Sequence, residues 1–129
     1  MGILPNNTGG VRTTKQVGDA AEDEALLYLQ QHGLRLITRN YRTPGRGGGE
    51  IDLIMRDRDG TLVFTEVRKR KSSAYGSAAA SVGSVKQRRV ILAAQHYLLH
   101  LRSLPPCRFD VIEVTPEGCH WLRAAFDAA

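Results

Sequence analysis

Apolar positions recur at helical spacing in two segments of this chain. In the first, Thr14 is suited to cap a helix that runs to about residue 32, where Gly33 ends it. In the second, Ser84 is suited to cap a helix over residues 85–101. The apolar stripes that we expect to face a core are Val17, Ala21, Ala25, Tyr28 and Leu29 in the first helix, and Val90, Ala94, Tyr97, Leu98 and Leu101 in the second.

Five further segments have the alternation or the β-branched and aromatic content of strands. They are residues 34–41, 50–56, 61–69, 108–114 and 118–126. The order α-β-β-β-α-β-β predicts an α/β fold in which helices flank a mixed central sheet. We expect one domain over residues 14–129, after a flexible N-terminal tail at residues 1–13 that is rich in Pro, Asn and Gly. Small and polar residues at 72–84 predict a loop or a mobile flap.

The hairpin formed by the second and third strands allows two registers. A two-residue turn at Asp59-Gly60 would place Leu53 opposite Glu66 and mix charge with core. A three-residue loop over residues 58–60, with Gly60 in the left-handed region, separates the two faces better. We therefore predict the second register. It pairs Ile51, Leu53 and Met55 with Val67, Thr65 and Val63.

This register places two carboxylates side by side. Asp52 lies opposite Glu66, and Glu50 lies opposite Arg68. Like charges directly opposed in a sheet are destabilising, so a proton, a basic neighbour or a divalent cation must compensate them. Carboxylate oxygens suit Mg²⁺ or Mn²⁺.

The plainer interpretation is an exposed sheet face with an ordinary Glu50–Arg68 pair. Ile54 and Phe64 share that face, which indicates that it is not simply solvated.

Positive charge is concentrated in two short clusters. The formal net charge is +5 and the pI is about 9.6, and the clusters are "RKRK" at residues 68–71 and "KQRR" at residues 86–89. Such clusters favour a polyanionic partner, nucleic acid above all. The second cluster lies in the first turn of a helix, where the dipole disfavours cations unless an anion binds there. A solvated basic face is the alternative.

Bulk properties exclude several classes of protein. The chain of 129 residues suits one domain, and no apolar run approaches the ~20 residues that span a bilayer. The N-terminus lacks the basic and then apolar pattern of a signal peptide. Cys107 and Cys119 do not form a disulfide scaffold, and no Cys-x-x-Cys indicates zinc. We expect a reduced, cytoplasmic setting and no membrane partner.

The same residues resemble a known family. In chain order the similar segments are "AEDEALLYL", "GLRLITRNYR", "GEIDLIMRD", "LVFTEVRKR", "YGSAAASV", "KQRR" and "RFDVIEV". They resemble the YraN-like family of bacterial proteins over residues 18–114. That family is similar to a compact form of the PD-(D/E)xK nuclease fold, the restriction-endonuclease-like fold shared with archaeal Holliday junction resolvases.

The resemblance implies a set of site residues. Asp52 of "GEID" and Glu66 of "EVR" become metal-binding carboxylates, with Glu22 of the first helix as a further metal-binding acid. The implied cofactor is Mg²⁺ or Mn²⁺. The superfamily signature ends in Lys, and Arg68 stands at that position here. Lys can orient or activate water, whereas Arg stays protonated and suits a phosphate clamp.

The function that follows is that of a metal-dependent endonuclease that hydrolyses phosphodiester bonds in DNA, with branched DNA as a candidate substrate. Its catalytic set is Asp52, Glu66 and Arg68, with Arg68 stabilising charge on the phosphate. The expected contacts to flanking phosphates are Arg70, Lys71, Lys86, Arg88 and Arg89.

Two alternatives belong to other classes. One is a nucleic-acid-binding module that kept the fold and lost catalysis, which Arg68 favours. The other is a protein-interaction domain whose basic face meets an acidic partner. Junction-cutting relatives in the wider superfamily act as dimers, so a homodimer is a further expectation.

Overall fold

Seven elements follow one another in the predicted order. The computed structural model describes residues 14–71 and 82–128, with side chains from residue 19 onward. The helices are α1, Thr14–Gln31, and α2, Ser84–Leu98, and the strands are β1, Arg35–Arg42, β2, Glu50–Arg56, β3, Leu62–Lys69, β4, Cys107–Thr115, and β5, Gly118–Phe126. The predicted α/β fold with a mixed sheet and flanking helices is confirmed. The predicted tail at residues 1–13 and nearly all of the predicted flap lie outside the described residues.

The five strands form one sheet in sequence order, β1-β2-β3-β4-β5. Strands β3 and β4 are parallel, and the other neighbours are antiparallel. A parallel pair needs a crossover connection, since a tight turn cannot join strands that run the same way. The segment that contains α2 is this crossover, so the second helix is carried across one face of the sheet.

Each face of the sheet is covered by one helix. On one side α1 packs through its alanines and leucine over strand residues such as Leu53, Met55 and Val63. On the other side α2 packs over Ile54 and Phe64. Strand side chains alternate between these two cores because successive residues point to opposite faces. The predicted stripe residues that are buried are Ala21, Ala25, Leu29, Val90 and Ala94, and Tyr28, Tyr97, Leu98 and Leu101 are partly buried.

The β2–β3 hairpin has the predicted register. Leu53 pairs with Thr65 and Met55 with Val63. The loop has three residues and closes where the Asp57 amide donates to the Thr61 carbonyl at 2.9 Å. Gly60 has a φ of 91°, in the region that favours glycine. The hairpin register that opposes Asp52 and Glu66 is therefore confirmed over its described pairs.

One part of the hairpin prediction is wrong. Ile51 was expected on the same face as Leu53, but it packs in the core under α2 instead. The cause is local irregularity around Asp52, since the β2–β3 ladder runs only from the Leu53–Thr65 pair to the turn. In β1, Asn40 lies between Arg39, which pairs with Leu53, and Tyr41, which pairs with Ile51, and its φ of 52° departs from strand geometry. The strands thus open at the position of the carboxylates.

The helix ends differ in detail from the predictions. Gly33, with a φ of 96°, follows the end of α1 as expected. Helix α2 is not capped by Ser84, because Ser84 is its first residue and Gly83 is the N-cap without a side-chain hydrogen bond. The regular helix ends at Leu98, and the backbone continues as a tight turn in which the Leu101 amide donates to the Leu98 carbonyl at 3.1 Å.

Candidate active site

Asp52 and Glu66 lie together where the β2–β3 ladder opens. Glu66 is fully buried among core residues of β3. The Oδ2 atom of Asp52 accepts a hydrogen bond of 2.8 Å from the Val67 amide. The Asp52 side chain therefore binds a β3 amide just beyond the last ladder pair. Each of the two carboxyl groups affects the pKa of the other at short range. The structure therefore brings these two predicted site residues into contact range.

Both carboxyl groups hold their protons more tightly than usual. Burial is the largest cause for Glu66, followed by the charge of Asp52, and together they raise the pKa of Glu66 to about 8. Burial also raises the pKa of Asp52, against the lowering effect of the Val67 amide. The Oε1 atom of Glu66 is buried without a hydrogen-bond donor among the described residues. A cation close to this pair favours the ionised form of both carboxyl groups.

A lysine from α2 reaches into this pair. The Nζ atom of Lys86 lies 2.7 Å from Oε2 of Glu66. Burial opposes the ammonium form of Lys86, but the hydrogen bond to Glu66 and the charges of Glu66, Asp52 and Glu50 outweigh it and raise the pKa of Lys86. Sequence reasoning assigned Lys86 to a flanking phosphate. In the structure its contact is with the carboxylate site itself.

Glu22 of α1 lies at the border of the site. Its pKa is raised by burial first and by the charge of Asp52 second, which shows that the two carboxylates are within electrostatic range. Arg39 lies 3.4 Å from Glu22 and 2.8 Å from Asp23. A hydrogen bond from the Asn40 side chain also lowers the pKa of Glu22, against those two effects.

The three predicted metal-binding acids do not form a ready ligand set. Within residues 19–71 and 82–128, no group of three or more His, Cys, Asp and Glu side chains is arranged to hold a metal ion. Asp52 and Glu66 are in mutual contact range, whereas Glu22 is held by Arg39. The described structure therefore offers two adjacent carboxylates and a third acid nearby.

The remaining acids of this face are paired with arginines. Glu50 was considered as a partner of Arg68, but its Oε1 lies 2.9 Å from Nη2 of Arg89 on α2. Arg70 was considered for phosphate contact, and its Nη1 lies 2.9 Å from Oε2 of the buried Glu113. These two arginines are thus engaged with carboxylates of the protein.

The last three predicted residues differ in their surroundings. Arg68 is half-buried, and its Nε atom is buried without an acceptor among the residues that the structure describes. Lys71 and Arg88 are exposed. Of the predicted phosphate contacts, these two therefore present their charge most directly to solvent.

Sequence reasoning missed Asn40 and the contact between Lys86 and Glu66. Asn40 carries a weak signal, because Asn tolerates the left-handed backbone and β1 is the strand next to "GEID". The contact of Lys86 with Glu66 cannot be predicted from the residues around Lys86 in the sequence. It depends on how α2 lies across the sheet, which the spacing along the helix does not determine.

The comparisons with known proteins place this arrangement in a family. The family described as "Uncharacterised protein family UPF0102" matches residues 21–114, which include Glu22, Asp52, Glu66 and Lys86. A UPF0102 protein of Paracidovorax citrulli (strain AAC00-1) is 61% identical over 99% of this chain and 99% of its own.

Two further relatives have similar coverage. A UPF0102 protein of Acidovorax sp. (strain JS42) is 58% identical over 100% of this chain and 98% of its own. One of Albidiferax ferrireducens is 61% identical over 97% of this chain and 98% of its own. With a family match over most of its length and relatives of this similarity, the chain belongs to the UPF0102 family, to which the YraN-like resemblance pointed.

Proposed function

We propose that this protein is a metal-dependent nuclease that hydrolyses phosphodiester bonds in DNA. The observation that carries the proposal is the pair formed by the half-buried Asp52 and the fully buried Glu66 at the opening of the β2–β3 ladder. Two carboxylates forced together at a cost in stability are typical of a functional site rather than of a structural one. We propose with it that the fold is the restriction-endonuclease-like fold of the PD-(D/E)xK superfamily.

The donor set fits a hard divalent cation. Oxygen ligands from carboxylates suit Mg²⁺ and Mn²⁺, and the buried Oε1 atom of Glu66 lacks a hydrogen-bond donor among the described residues. Asp52 and Glu66 would hold the ion. Glu22 of α1 would add negative charge near it. When bound, such an ion polarises a phosphate and lowers the pKa of water.

The residues of the chain would do the rest by binding and orientation. Arg68 is half-buried, and its guanidinium group would bind a phosphate oxygen of the substrate. An arginine at this position stabilises negative charge on the phosphate and does not act as a base. Asp52 is fixed by its 2.8 Å hydrogen bond to the Val67 amide, which orients the carboxylate before substrate binds.

A groove along α2 carries two of the cations that suit nucleic acid. It has a volume of about 470 Å³, and its lining combines Arg88 and Arg89 with apolar residues of the helix such as Leu92 and with Gly47 of the β1–β2 loop. Its cationic rim and the net charge of +5 suit a phosphate backbone. Arg89 also bonds the Gly48 carbonyl and Glu50, which connects the groove to the carboxylate face.

A cleavage assay with a matched site variant tests the proposal. Wild-type protein and Asp52→Asn would be incubated with single-stranded, duplex, flapped and four-way-junction DNA, with Mg²⁺, with Mn²⁺ and with a chelator. We expect cutting that needs the metal and is lost in the variant, with branched DNA preferred. Cutting retained by Asp52→Asn would point to a contaminating nuclease or to another site and would remove the proposal's basis.

A second candidate is a nucleic-acid-binding module on the same fold without catalysis. Two observations favour it: Arg68 stands where the signature has Lys, and no group of three ligating side chains occurs among the described residues. DNA binding without cleavage on any substrate would support it. Reverting Arg68 to Lys is then the variant of choice, and gain of metal-dependent cutting would trace the loss to that one residue.

The proposal also includes the location of the protein and its oligomeric state. Neither described helix is long and apolar enough to cross a membrane, and a cytoplasmic location remains a prediction, as does a homodimer. Sedimentation equilibrium of the full chain at micromolar concentration tests the dimer. A monomer mass with and without DNA would contradict it.

A further inference from the structure

Lys86 is a cation from α2 inserted against the most buried acid of the site. The Glu66 side chain is 1% exposed, whereas that of Lys86 is 41% exposed. The lysine therefore enters from the surface and places its ammonium 2.7 Å from Oε2 of Glu66.

The environment of Lys86 is set by the site acids. Its ammonium lies against Glu66, and the neighbouring Asp52 carboxylate is held by the Val67 amide at the same opening of the ladder. The two exposed arginines of the same helix are arranged differently, since Arg89 pairs with Glu50 and Arg88 lines the groove along α2. Of the basic residues in the "KQRR" cluster, Lys86 thus contacts the carboxylate pair, and the two arginines lie outside it.

We propose that Lys86, held there by α2, is the internal counter-cation of the Asp52–Glu66 pair. Its ammonium is held against an oxygen of Glu66 that a divalent cation would also use. Metal binding and the Lys86–Glu66 contact are therefore in competition. Once released from Glu66, Lys86 has three donors free beside the carboxylates, where they bind a phosphate oxygen or a water.

This role makes Lys86 different from an ordinary phosphate contact. A flanking lysine contributes to DNA affinity and is indifferent to metal affinity. A counter-cation opposes a second cation at the same oxygen, because like charges a few ångströms apart repel strongly in a buried site. Removal of the ammonium should therefore raise metal affinity while lowering the rate of cleavage.

The inference rests on the proposed function, and its experiment separates the two. Mn²⁺ binding to the full-length chain is measured by isothermal titration calorimetry for wild type, Lys86→Met and Lys86→Gln. Two controls complete the series: Arg88→Met removes an exposed cation from the same helix, and Glu66→Gln removes the competing carboxylate. Cleavage rates and DNA affinity are measured for every variant, and circular dichroism checks folding.

We expect both Lys86 variants to bind Mn²⁺ about tenfold more tightly than wild type, a change of about 1.4 kcal/mol. Arg88→Met should bind the metal as wild type does and bind DNA more weakly. Glu66→Gln should abolish metal binding. Cleavage by the Lys86 variants should fall at least about tenfold at saturating Mn²⁺, with DNA affinity nearly unchanged.

The other outcomes are decisive in different directions. Unchanged Mn²⁺ affinity with weakened DNA binding in the Lys86 variants would overturn the inference and leave the nuclease proposal intact. Mn²⁺ binding by Lys86→Met and not by wild type, with no cleavage by either, would support the inference and contradict the nuclease proposal. Absence of Mn²⁺ binding in every protein would contradict both.

Discussion

Glu66 is an acid of the proposed site, and its burial makes the stability of the fold depend on pH. Its pKa of about 8 in the folded protein lies well above the ordinary value of 4.5. The folded state therefore binds this proton more tightly than the unfolded chain does, and the contribution of Glu66 to stability falls as the pH rises from about 5 to about 8. The ammonium of Lys86 offsets part of this loss.

We predict that Glu66→Gln stabilises the protein at pH 8 by about 1 kcal/mol or more, or roughly 4 °C in Tm. The variant should also show a flatter dependence of Tm on pH between about 5 and 8. Thermal unfolding followed by circular dichroism across this range measures both effects. A lower Tm than wild type at pH 8 would mean that the Lys86 ion pair outweighs the burial of charge.

Asn40 shows how backbone conformation limits the choice of residue. Its φ of 52° lies in the left-handed region, which costs most residues about 1–2 kcal/mol and costs Asn or Gly less. We predict that Asn40→Val destabilises the protein by about 1–2 kcal/mol and that Asn40→Gly leaves stability close to wild type. Urea unfolding of the two variants compares them directly. Equal losses would show that the side-chain bond to Glu22 matters more than the backbone.

At the level of single residues, the sequence predicted positions within the hairpin better than contacts between a helix and the sheet. The proximity of Asp52 and Glu66 followed from the hairpin register, because Gly60 and the alternation of apolar residues left one arrangement that kept the faces apart. The position of Lys86 did not follow, since it depends on the placement of α2 across the sheet. Ile51 was misplaced because a regular strand was assumed through Asp52.

At the level of elements, the approach of the β1–β2 loop to α2 positions the site. A Cβ atom on Gly49 would collide with the Arg89 carbonyl and the Ala93 amide. The loop therefore lies directly on the helix that carries Lys86. A larger residue at position 49 must push the loop and helix apart, and backbone cannot yield as a flexible side chain can.

We predict that Gly49→Ala costs about 1–3 kcal/mol of stability and reduces cleavage more than this loss of folded protein explains. Gly60→Ala is the matched control, because a Cβ there would have open space and would meet only the strain of a φ of 91°. It should cost about 1 kcal/mol and leave the rate per folded molecule unchanged. Urea unfolding and single-turnover cleavage test both variants. Equal effects on rate would show that α2 is not positioned by this contact.

The elements themselves were predictable for a physical reason. Helix and strand periods are different, so a chain with clear apolar spacing identifies its own elements. The start of β2 at Glu50 and the β4–β5 turn before Gly118 were confirmed. The helix ends were less predictable, because Ser84 could cap α2 on composition alone and the chain used Gly83 instead.

At the level of the whole molecule, net charge and the distribution of ion pairs should decide how nucleic acid is bound. Arg70 and Arg89 are paired with buried or half-buried carboxylates, and Lys71 and Arg88 are exposed. Binding to phosphates releases counterions, so affinity should fall steeply with salt. Exposed cations contribute most to that slope, since paired cations already have an anionic partner.

We predict that Lys71→Met and Arg88→Met each reduce the salt slope of DNA binding by about one unit, uniformly across sequences. Arg70→Met should leave the slope nearly unchanged and instead destabilise the fold, because Glu113 would be left buried without its partner. Fluorescence anisotropy across a salt series measures the slopes. A flat slope for the wild-type protein would contradict a polyanionic partner.

The central claim is that Asp52 and Glu66 form a working nuclease site, and one measurement addresses it most directly. Wild type and Glu66→Gln are purified in parallel and tested for cleavage of a four-way junction and its parent duplex, with Mn²⁺ and with a chelator. We expect Mn²⁺-dependent cutting by wild type and none by the variant, which should be folded and at least as stable. No cutting by wild type under any condition, with DNA still bound, would contradict the claim and leave a nucleic-acid-binding protein.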